Sequence, residues 1–367
     1  MPSVTQRVTS RAAIFVGPDQ PMQLQELPIP ELQAREALVA IECSTVCGSD
    51  LHTITGVRRE RCPTILGHES VGRVVAVAQP ALLDVQGDPL QVGDRVTWST
   101  AVSCGKCDRC KSGLPQKCRS LSKYGHDLAE GRTALCGGLA EHLLLRDGSA
   151  VVKVDASLPA EVACPANCST ATVACAMRSA QPIEGARVLL FGAGMLGLTA
   201  AAMAKWMDAA HVTVVDTLPA RLQLAKRFGA DCTVSWNSDW EKLRGDLQQG
   251  CGSDQFDVVC EFSGSSEAVA AACRASDVGG RVILVGTVMP SPLVGIDPEM
   301  IVRRCMMIRG VHNYAPEDLV TALRFLNHAN VEYPFSELVE RTFRLADVNH
   351  AIDYALEHRP VRIAIRP

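Results

Sequence analysis

One short segment constrains the fold of this chain more than any other. Val188-Leu189-Leu190-Phe191 is an apolar, strand-forming run, followed by Gly192-Ala193-Gly194-Met195-Leu196-Gly197 and then by the helix-forming stretch Leu198-Thr199-Ala200-Ala201-Ala202-Met203-Ala204. Strand, Gly-x-Gly-x-x-Gly and helix in this order build a turn whose backbone amides, with the helix N-terminus behind them, hold a pyrophosphate. Gly192 makes the tight turn and Gly194 lets the phosphates approach the backbone. Gly197 allows close helix packing, and Met195 and Leu196 complete the loop. The next strand, His211 to Val215, ends at Asp216. A carboxylate there accepts hydrogen bonds from the adenosine ribose and repels a 2′-phosphate, which favours NAD over NADP. A glycine-rich core turn beside an exposed Asp is the plainer alternative, and the complete context speaks against it.

The pattern around this loop extends the same architecture. Helices are expected from Met195, Pro219 and Ser266, alternating with strands at Val212–Val215, Asp257–Glu261 and Arg281–Val285. Strands separated by helix-length segments imply βαβ units and a parallel sheet. The first 155 or so residues read differently. Short apolar runs such as Ala37–Ile41 and Val71–Val77, broken by turns such as Gly93-Asp94, suggest a β-rich barrel or sandwich. After about residue 305 come helices at Pro316–Asn327 and Leu345–Glu357 and a strand at Val361–Ile365. That tail has no core of its own and is expected to pack back on the first domain. A length of 367 residues suits two domains of ordinary size.

Several function classes are excluded at this level. With 36 basic and 40 acidic side chains the net charge is −4, which argues against a nucleic-acid partner. The uncharged run Val162–Met177 contains Pro165 and Asn167, and Val188–Ala204 is interrupted by glycines and falls short of the ~20 residues a membrane helix needs. Met1 to Ser10 is polar, carries Arg7 and has no apolar segment behind it, unlike a secretory signal. A soluble cytoplasmic protein without a membrane partner is expected.

The chain has 16 cysteines. A protein this long can bury a full core without disulfide staples, so reduced thiols are expected, some of them metal ligands. Cys104, Cys107, Cys110 and Cys118 form Cys-x2-Cys-x2-Cys-x7-Cys. Four thiolates so spaced can surround one tetrahedral Zn²⁺, and with no open position such a site is structural. A ferredoxin-type cluster would want Cys-Pro at the end, whereas Arg119 follows Cys118. Cys47, His68 and Cys168 could form a second, Cys2His set with a free position for substrate. His68-Glu69 does not open a metalloprotease motif, because Gly72 stands where the second His belongs. Taken singly, these cysteines read equally as small buried hydrophobes and the His as an ordinary satisfied polar residue. The residues alone leave both readings open. Cys43, Cys62, Cys136, Cys164, Cys175, Cys232, Cys251, Cys260, Cys273 and Cys305 carry no motif and are expected to be reduced thiols.

Together, Gly67-His68-Glu69 with Gly72, the four-cysteine lobe, and Gly192–Gly197 with Asp216 resemble the zinc-dependent medium-chain alcohol dehydrogenase family in order and spacing over essentially the whole chain. The resemblance implies an α/β protein with a GroES-like, β-rich catalytic domain and a Rossmann, doubly wound parallel-sheet domain. The domains would be 1–169, with the zinc lobe at 100–120, then 170–304, and a return to the catalytic domain over 305–367. It further implies two Zn²⁺ per subunit and NAD. Cys47, His68 and Cys168 would hold the catalytic zinc, with Glu69 behind the metal and able to enter its coordination. Ser49 would take the substrate proton and pass it through the cofactor ribose towards His52, and Asp50 would orient His68. Thr172 would pack at the nicotinamide and Arg221 on the adenosine side, and Arg362 loosely matches a pyrophosphate contact. A homodimer or homotetramer is implied, with Val282–Val285 as an edge that could pair between subunits.

The implied activity is NAD-linked oxidation of a small hydroxy compound to a carbonyl, or the reverse. Thr53 to Thr64 would border the substrate cleft, and Arg58, Arg59 and Arg61 there are either a solvated basic loop or a clamp for an anion. Gly310-Val311-His312-Asn313-Tyr314 and Tyr333-Pro334-Phe335 resemble a branch of the family proposed to act in phosphonate catabolism, so a hydroxyalkylphosphonate or related aldehyde is the leading substrate expectation. One alternative is a polyol or amino-alcohol dehydrogenase resembling sorbitol or threonine dehydrogenases. Another, from a different class, is a non-catalytic regulatory protein that binds zinc and nucleotide.

Overall fold

The computed structural model describes residues 9–367, so most of the polar N-terminal stretch considered above lies outside the described residues. The chain divides into two compact units, one made of residues 9–168, 315–326 and 335–367 and the other of residues 169–314 and 327–334.

The first unit is β-rich. Its strands are β1 (Thr9–Phe15), β2 (Gln23–Pro28), β3 (Ala37–Thr45), β4 (Thr64–Ile65), β5 (Glu69–Val77), β6 (Arg95–Val102), β7 (Ser122–Lys123), β8 (His142–Leu145) and β9 (Ser149–Lys153). Three short helices interrupt them: α1 (Gly48–Ile54), α2 (Asp108–Lys111) and α3 (Ala160–Ala163). β3 and β5 pair antiparallel, with Thr45 opposite Glu69 and Ile41 opposite Gly72. A Cβ at Gly72 would meet the Ala40 carbonyl oxygen at 2.4 Å, so only glycine fits that crossing.

The second unit starts with α4 (Ser169–Ser179) and contains β10 (Arg187–Phe191), α5 (Met195–Trp206), β11 (His211–Asp216), α6 (Pro219–Arg227), β12 (Cys232–Ser235), α7 (Trp240–Cys251), β13 (Phe256–Glu261), α8 (Ser266–Ala275), β14 (Ser276–Leu284), α9 (Pro298–Arg303) and β15 (Met307–Gly310). All six strands are parallel, in the order β12-β11-β10-β13-β14-β15. This is the doubly wound Rossmann order, with its reversal beside β10, the strand that carries the glycine loop. β10 is buried on both faces, which explains why its sequence is an uninterrupted apolar run.

The chain then returns through α10 (Pro316–Glu332), β16 (Val339–Arg344), α11 (Val348–His358) and β17 (Arg362–Arg366). β17 lies between β16 and β3 in the large sheet of the first unit, with Ala364 opposite Thr45. Phe343, Val348, Ala351 and Ile352 bury against Ile14, Ile65 and Leu139 in one apolar cluster. The tail therefore has no core of its own and completes that of the first unit.

Three expectations are corrected. β15 extends the parallel sheet beyond β14, so the second unit runs to Tyr314 rather than ending at 304. For the same reason Val282–Val285 is not an edge: β14 bonds to neighbours on both sides, and β15 takes the outer place. Cys232 and Cys251 are not free thiols but a disulfide joining the start of β12 to the end of α7, with Cα atoms 6.1 Å apart. Among the described residues no helix is long and apolar enough to cross a membrane.

Candidate active site and metal centres

The register of three strands assembles the first cluster. β17, β3 and β5 are consecutive neighbours, and their aligned ends bring Arg362, Thr45 and Glu69 together. Cys47 follows β3 and caps α1, whose third residue, Asp50, closes the cap by accepting from the Cys47 amide at 2.9 Å. The other Asp50 oxygen lies 3.2 Å from Nδ1 of His68, with both side chains buried. His68 precedes β5, and Gly67 before it has φ +85, which a side chain would strain. Cys168 arrives from a turn that Asn167 anchors by donating Nδ2 to the Trp98 carbonyl at 2.7 Å.

Cys47, His68, Glu69 and Cys168 thus present one donor atom each within 4.8 Å of one another. The donor chemistry fits zinc. With Nδ1 facing Asp50, His68 keeps Nε2 for a metal, the arrangement in which a carboxylate fixes the imidazole tautomer. A hydrogen bond from the Cys168 thiol and the positive charge of Arg362 hold the Cys47 thiol well below its ordinary range despite burial, while Cys168 is pushed up by the same pairing and by burial. Two thiols sharing a proton beside an oriented imidazole form a set that a cation would complete. Burial pulls His68 down, but Asp50 and Cys47 outweigh it and raise it.

Glu69 is better anchored than the sequence indicates. Arg362 donates Nε to Oε2 and Nη2 to Oε1, each at 2.8 Å, and Thr45 donates Oγ1 to Oε2 at 2.6 Å. Burial still pushes the Glu69 carboxyl up, against the pull of Arg362. Arg362 also reaches the Cys47 Sγ at 3.5 Å. The Arg362 guanidinium, loosely matched to a pyrophosphate contact in the sequence, thus lies at the metal-ligand cluster. Nothing in the local sequence signals this, because the partners are 293 residues apart.

Ser49 and His52 occupy α1. Ser49 Oγ is 3.5 Å from His68 Nε2, a loose contact, and His52 is exposed one turn further on. Arg58 pairs with Glu60 at 2.6 Å, whereas Arg59 and Arg61 are exposed. His126, unmarked by any motif, lies with its ring centroid 5.2 Å from that of His68 and its Nδ1 3.3 Å from Glu60.

The second cluster is Cys104, Cys107, Cys110 and Cys118, with four sulfur atoms again within 4.8 Å. Backbone amides are aimed at the sulfurs: those of Cys104 and Ser120 donate to Cys118 Sγ, each at 3.3 Å. Such donors stabilise thiolate over thiol, which is what a closed four-sulfur zinc site requires. Amide donors from Arg119 and Cys110 bring the Cys107 thiol down to about 6, while burial and neighbouring thiols push Cys110 up to about 12.

In the second unit the glycine loop joins β10 to α5. A Cβ at Gly197 would lie 1.7 Å from the Gly192 carbonyl oxygen, and one at Gly194 would meet only Arg221 Nη1, at 3.9 Å. The surface at Gly194 is thus a cradle open to a phosphate, with a cation beside it. Asp216 accepts from the Ala193 amide at 2.6 Å and from the Leu218 amide at 2.8 Å, fixing its carboxylate at the loop. Thr172 is half-buried on α4 of the same unit.

The chain matches the alcohol dehydrogenase GroES-like domain over residues 33–156 and the zinc-binding dehydrogenase family over residues 196–328. It is 29% identical over 334 residues to L-threonine 3-dehydrogenase of Alteromonas mediterranea, covering 90% of this chain and 92% of that protein. The Vibrio parahaemolyticus enzyme of the same name is 28% identical over 349 residues, covering 94% of this chain and 95% of that one. An alcohol dehydrogenase structure from Thermotoga maritima superimposes with a TM-score of 0.90 at 27% identity, covering 98% of this chain and 100% of that one.

Proposed function

Since the chain belongs to the zinc-dependent medium-chain alcohol dehydrogenase family, we infer that it is an NAD-linked enzyme oxidising the secondary alcohol of a polyol or amino alcohol to a carbonyl, or running the reverse. The observation that carries this reading is the cluster of Cys47, His68, Glu69 and Cys168 around one point, with Ser49 beside it. When bound there, Zn²⁺ supplies Lewis-acid polarisation of the substrate oxygen, and the nicotinamide supplies the two-electron acceptor. Ser49 Oγ lies next to the ligand set and takes up the hydroxyl proton, and exposed His52 on the same helix passes it to solvent. Asp50 fixes the His68 ring, and the Arg362 fork holds Glu69 in place behind the ligands. Gly192 to Gly197, Asp216 and Arg221 take the dinucleotide, with Thr172 assigned to its nicotinamide end. The four-cysteine lobe holds a second zinc that works structurally.

The relatives named L-threonine 3-dehydrogenase support an amino alcohol as substrate. The anion-clamp expectation has less behind it, since Arg58 is neutralised by Glu60 and its two neighbours are exposed. The zinc-loaded protein is assayed with L-threonine, a polyol panel and a hydroxyalkylphosphonate, each with NAD and with NADP. Turnover of L-threonine or a polyol with NAD is expected; turnover of the phosphonate alone overturns the substrate assignment. Ser49→Ala should lower the rate by about a hundredfold or more with zinc still bound. An unchanged rate across neutral pH would remove Ser49 from the proton path.

A further inference from the structure

A buried carboxyl group in the second unit has no part in the reaction as described. Glu261 ends β13 at the carboxyl edge of the parallel sheet, opposite Phe191 on β10 and Leu284 on β14, and it is wholly buried. Its Oε1 accepts from Ser263 Oγ at 2.7 Å and from the Gly264 amide at 2.6 Å, and its Oε2 accepts from Thr287 Oγ1 at 2.9 Å. Its carbonyl oxygen accepts from the amides of Val285 and Gly286 at 3.0 and 2.9 Å. One residue thus ties the loop after β13 to the loop after β14. The two loops touch: a Cβ at Gly286 would lie 2.5 Å from the Gly264 nitrogen. The glycine loop abuts them, since a Cβ at Gly192 would lie 3.0 Å from the Ser263 nitrogen. Together they form a floor in which Ser263 is exposed and Gly264, Gly286 and Thr287 are half-buried. Burying a carboxyl group costs more than burying an apolar side chain of the same size, so Glu261 is explained by what it holds in place.

The strand order reverses between β10 and β13, and a ligand of such a sheet lies across its carboxyl edge at that point. With a pyrophosphate on the glycine loop and an adenosine ribose at Asp216 on the β11 side, the opposite half of a dinucleotide falls on the β13 and β14 side, over the floor that Glu261 holds. We propose that Glu261 is a positioning residue for the ribosyl-nicotinamide half of the dinucleotide, acting through the backbone at 263–264 and 286–287 rather than by contact. The proposal rests on the dehydrogenase reading and adds to it a residue that no motif marks.

The test compares NADH with ADP, which lacks the nicotinamide half, by calorimetric titration of the zinc-loaded protein. Glu261→Met keeps length and bulk but leaves the donors of both loops unpaired. NADH affinity is expected to fall about tenfold or more, while ADP affinity changes by less than about twofold. Glu261→Gln keeps an oxygen for the Gly264 amide and can donate Nε2 to Thr287 Oγ1, so it should recover most of the loss. Thr287→Val removes one tie at a half-buried position and should give a smaller loss of the same kind. Equal weakening of NADH and ADP, or an unchanged NADH affinity in Glu261→Met, overturns the inference. Should Glu261→Met fail to fold, an unchanged NADH affinity in Thr287→Val overturns it as well. A parent protein that binds ADP but not NADH also overturns it, whereas one that binds neither counts against the dehydrogenase reading instead.

Discussion

Arg362 sets Nε and Nη2 on the two oxygens of Glu69, each at 2.8 Å, in a buried fork that joins the last strand of the chain to the strand after His68. The pair sits directly behind the metal-ligand cluster. A buried carboxylate stripped of its only guanidinium carries an uncompensated desolvation cost, typically about 3–5 kcal/mol. Arg362→Leu should therefore destabilise the protein by roughly 3 kcal/mol in urea unfolding. Arg362→Lys keeps the charge but not the fork, and should recover less than half of that. The double variant Arg362→Leu with Glu69→Leu should be more stable than the single one, because no charge is left buried alone. A single variant as stable as the parent would show that the fork contributes little.

How much of this was legible in the sequence follows from the range over which each feature is encoded. The glycine loop, Asp216 and the four-cysteine lobe are local patterns, and the structure gives each the geometry its spacing requires. The Arg362 fork is set by the pairing of β17 with β3, a contact between chain ends that no spacing displays. His126 is similar: it meets His68 only because Gly125 allows two turns to touch. The extent of the parallel sheet is hard to read from sequence because β15, Met307-Ile308-Arg309-Gly310, carries charge and glycine as an outer strand can, so its apolar signal is weak. Pairing of Cys232 with Cys251 has no sequence signal, because a long chain with a full core does not need it.

Asp50 serves two partners at once, the Cys47 amide and His68 Nδ1. Asp50→Asn preserves size and one acceptor but removes the charge that favours imidazole as a ligand. Loss of such a supporting carboxylate costs about 10–100-fold in metal affinity. Chelator competition on the purified variant should show one of two zincs bound that much more weakly, with the other unaffected. Equal weakening of both would mean that the substitution acts through the fold.

The four-cysteine lobe should respond to acid in a defined sense. Amides of Arg119 and Cys110 hold Cys107 down at about 6, so in the metal-free lobe this residue is already thiolate at neutral pH. Metal binding requires thiolates, so protons compete with the metal. As pH falls through about 6, Cys107 takes up a proton and affinity drops; above that value its contribution is complete. Zinc affinity of the lobe, measured with a chromophoric chelator, should therefore weaken more steeply below about pH 6 than above it. Cys110→Ser should remove one zinc per chain and lower the melting temperature, while the other centre keeps its metal.

Asp216 is held at the glycine loop by two backbone amides, so its carboxylate is fixed where an adenosine ribose would lie. Asp216→Asn retains an acceptor for the Ala193 amide and removes the negative charge that repels a 2′-phosphate. Arg221, whose Nη1 is close to Gly194, supplies a cation on the same side of the loop. The ratio of kcat/KM for NADP over NAD should then rise by about tenfold, or ~1.4 kcal/mol of relative binding. Most of the change should appear in KM, because the charge lies far from the reacting carbon. A ratio that stays the same would mean that the preference between the two dinucleotides is set elsewhere in the second unit, and that Asp216 serves chiefly to brace the loop through Ala193.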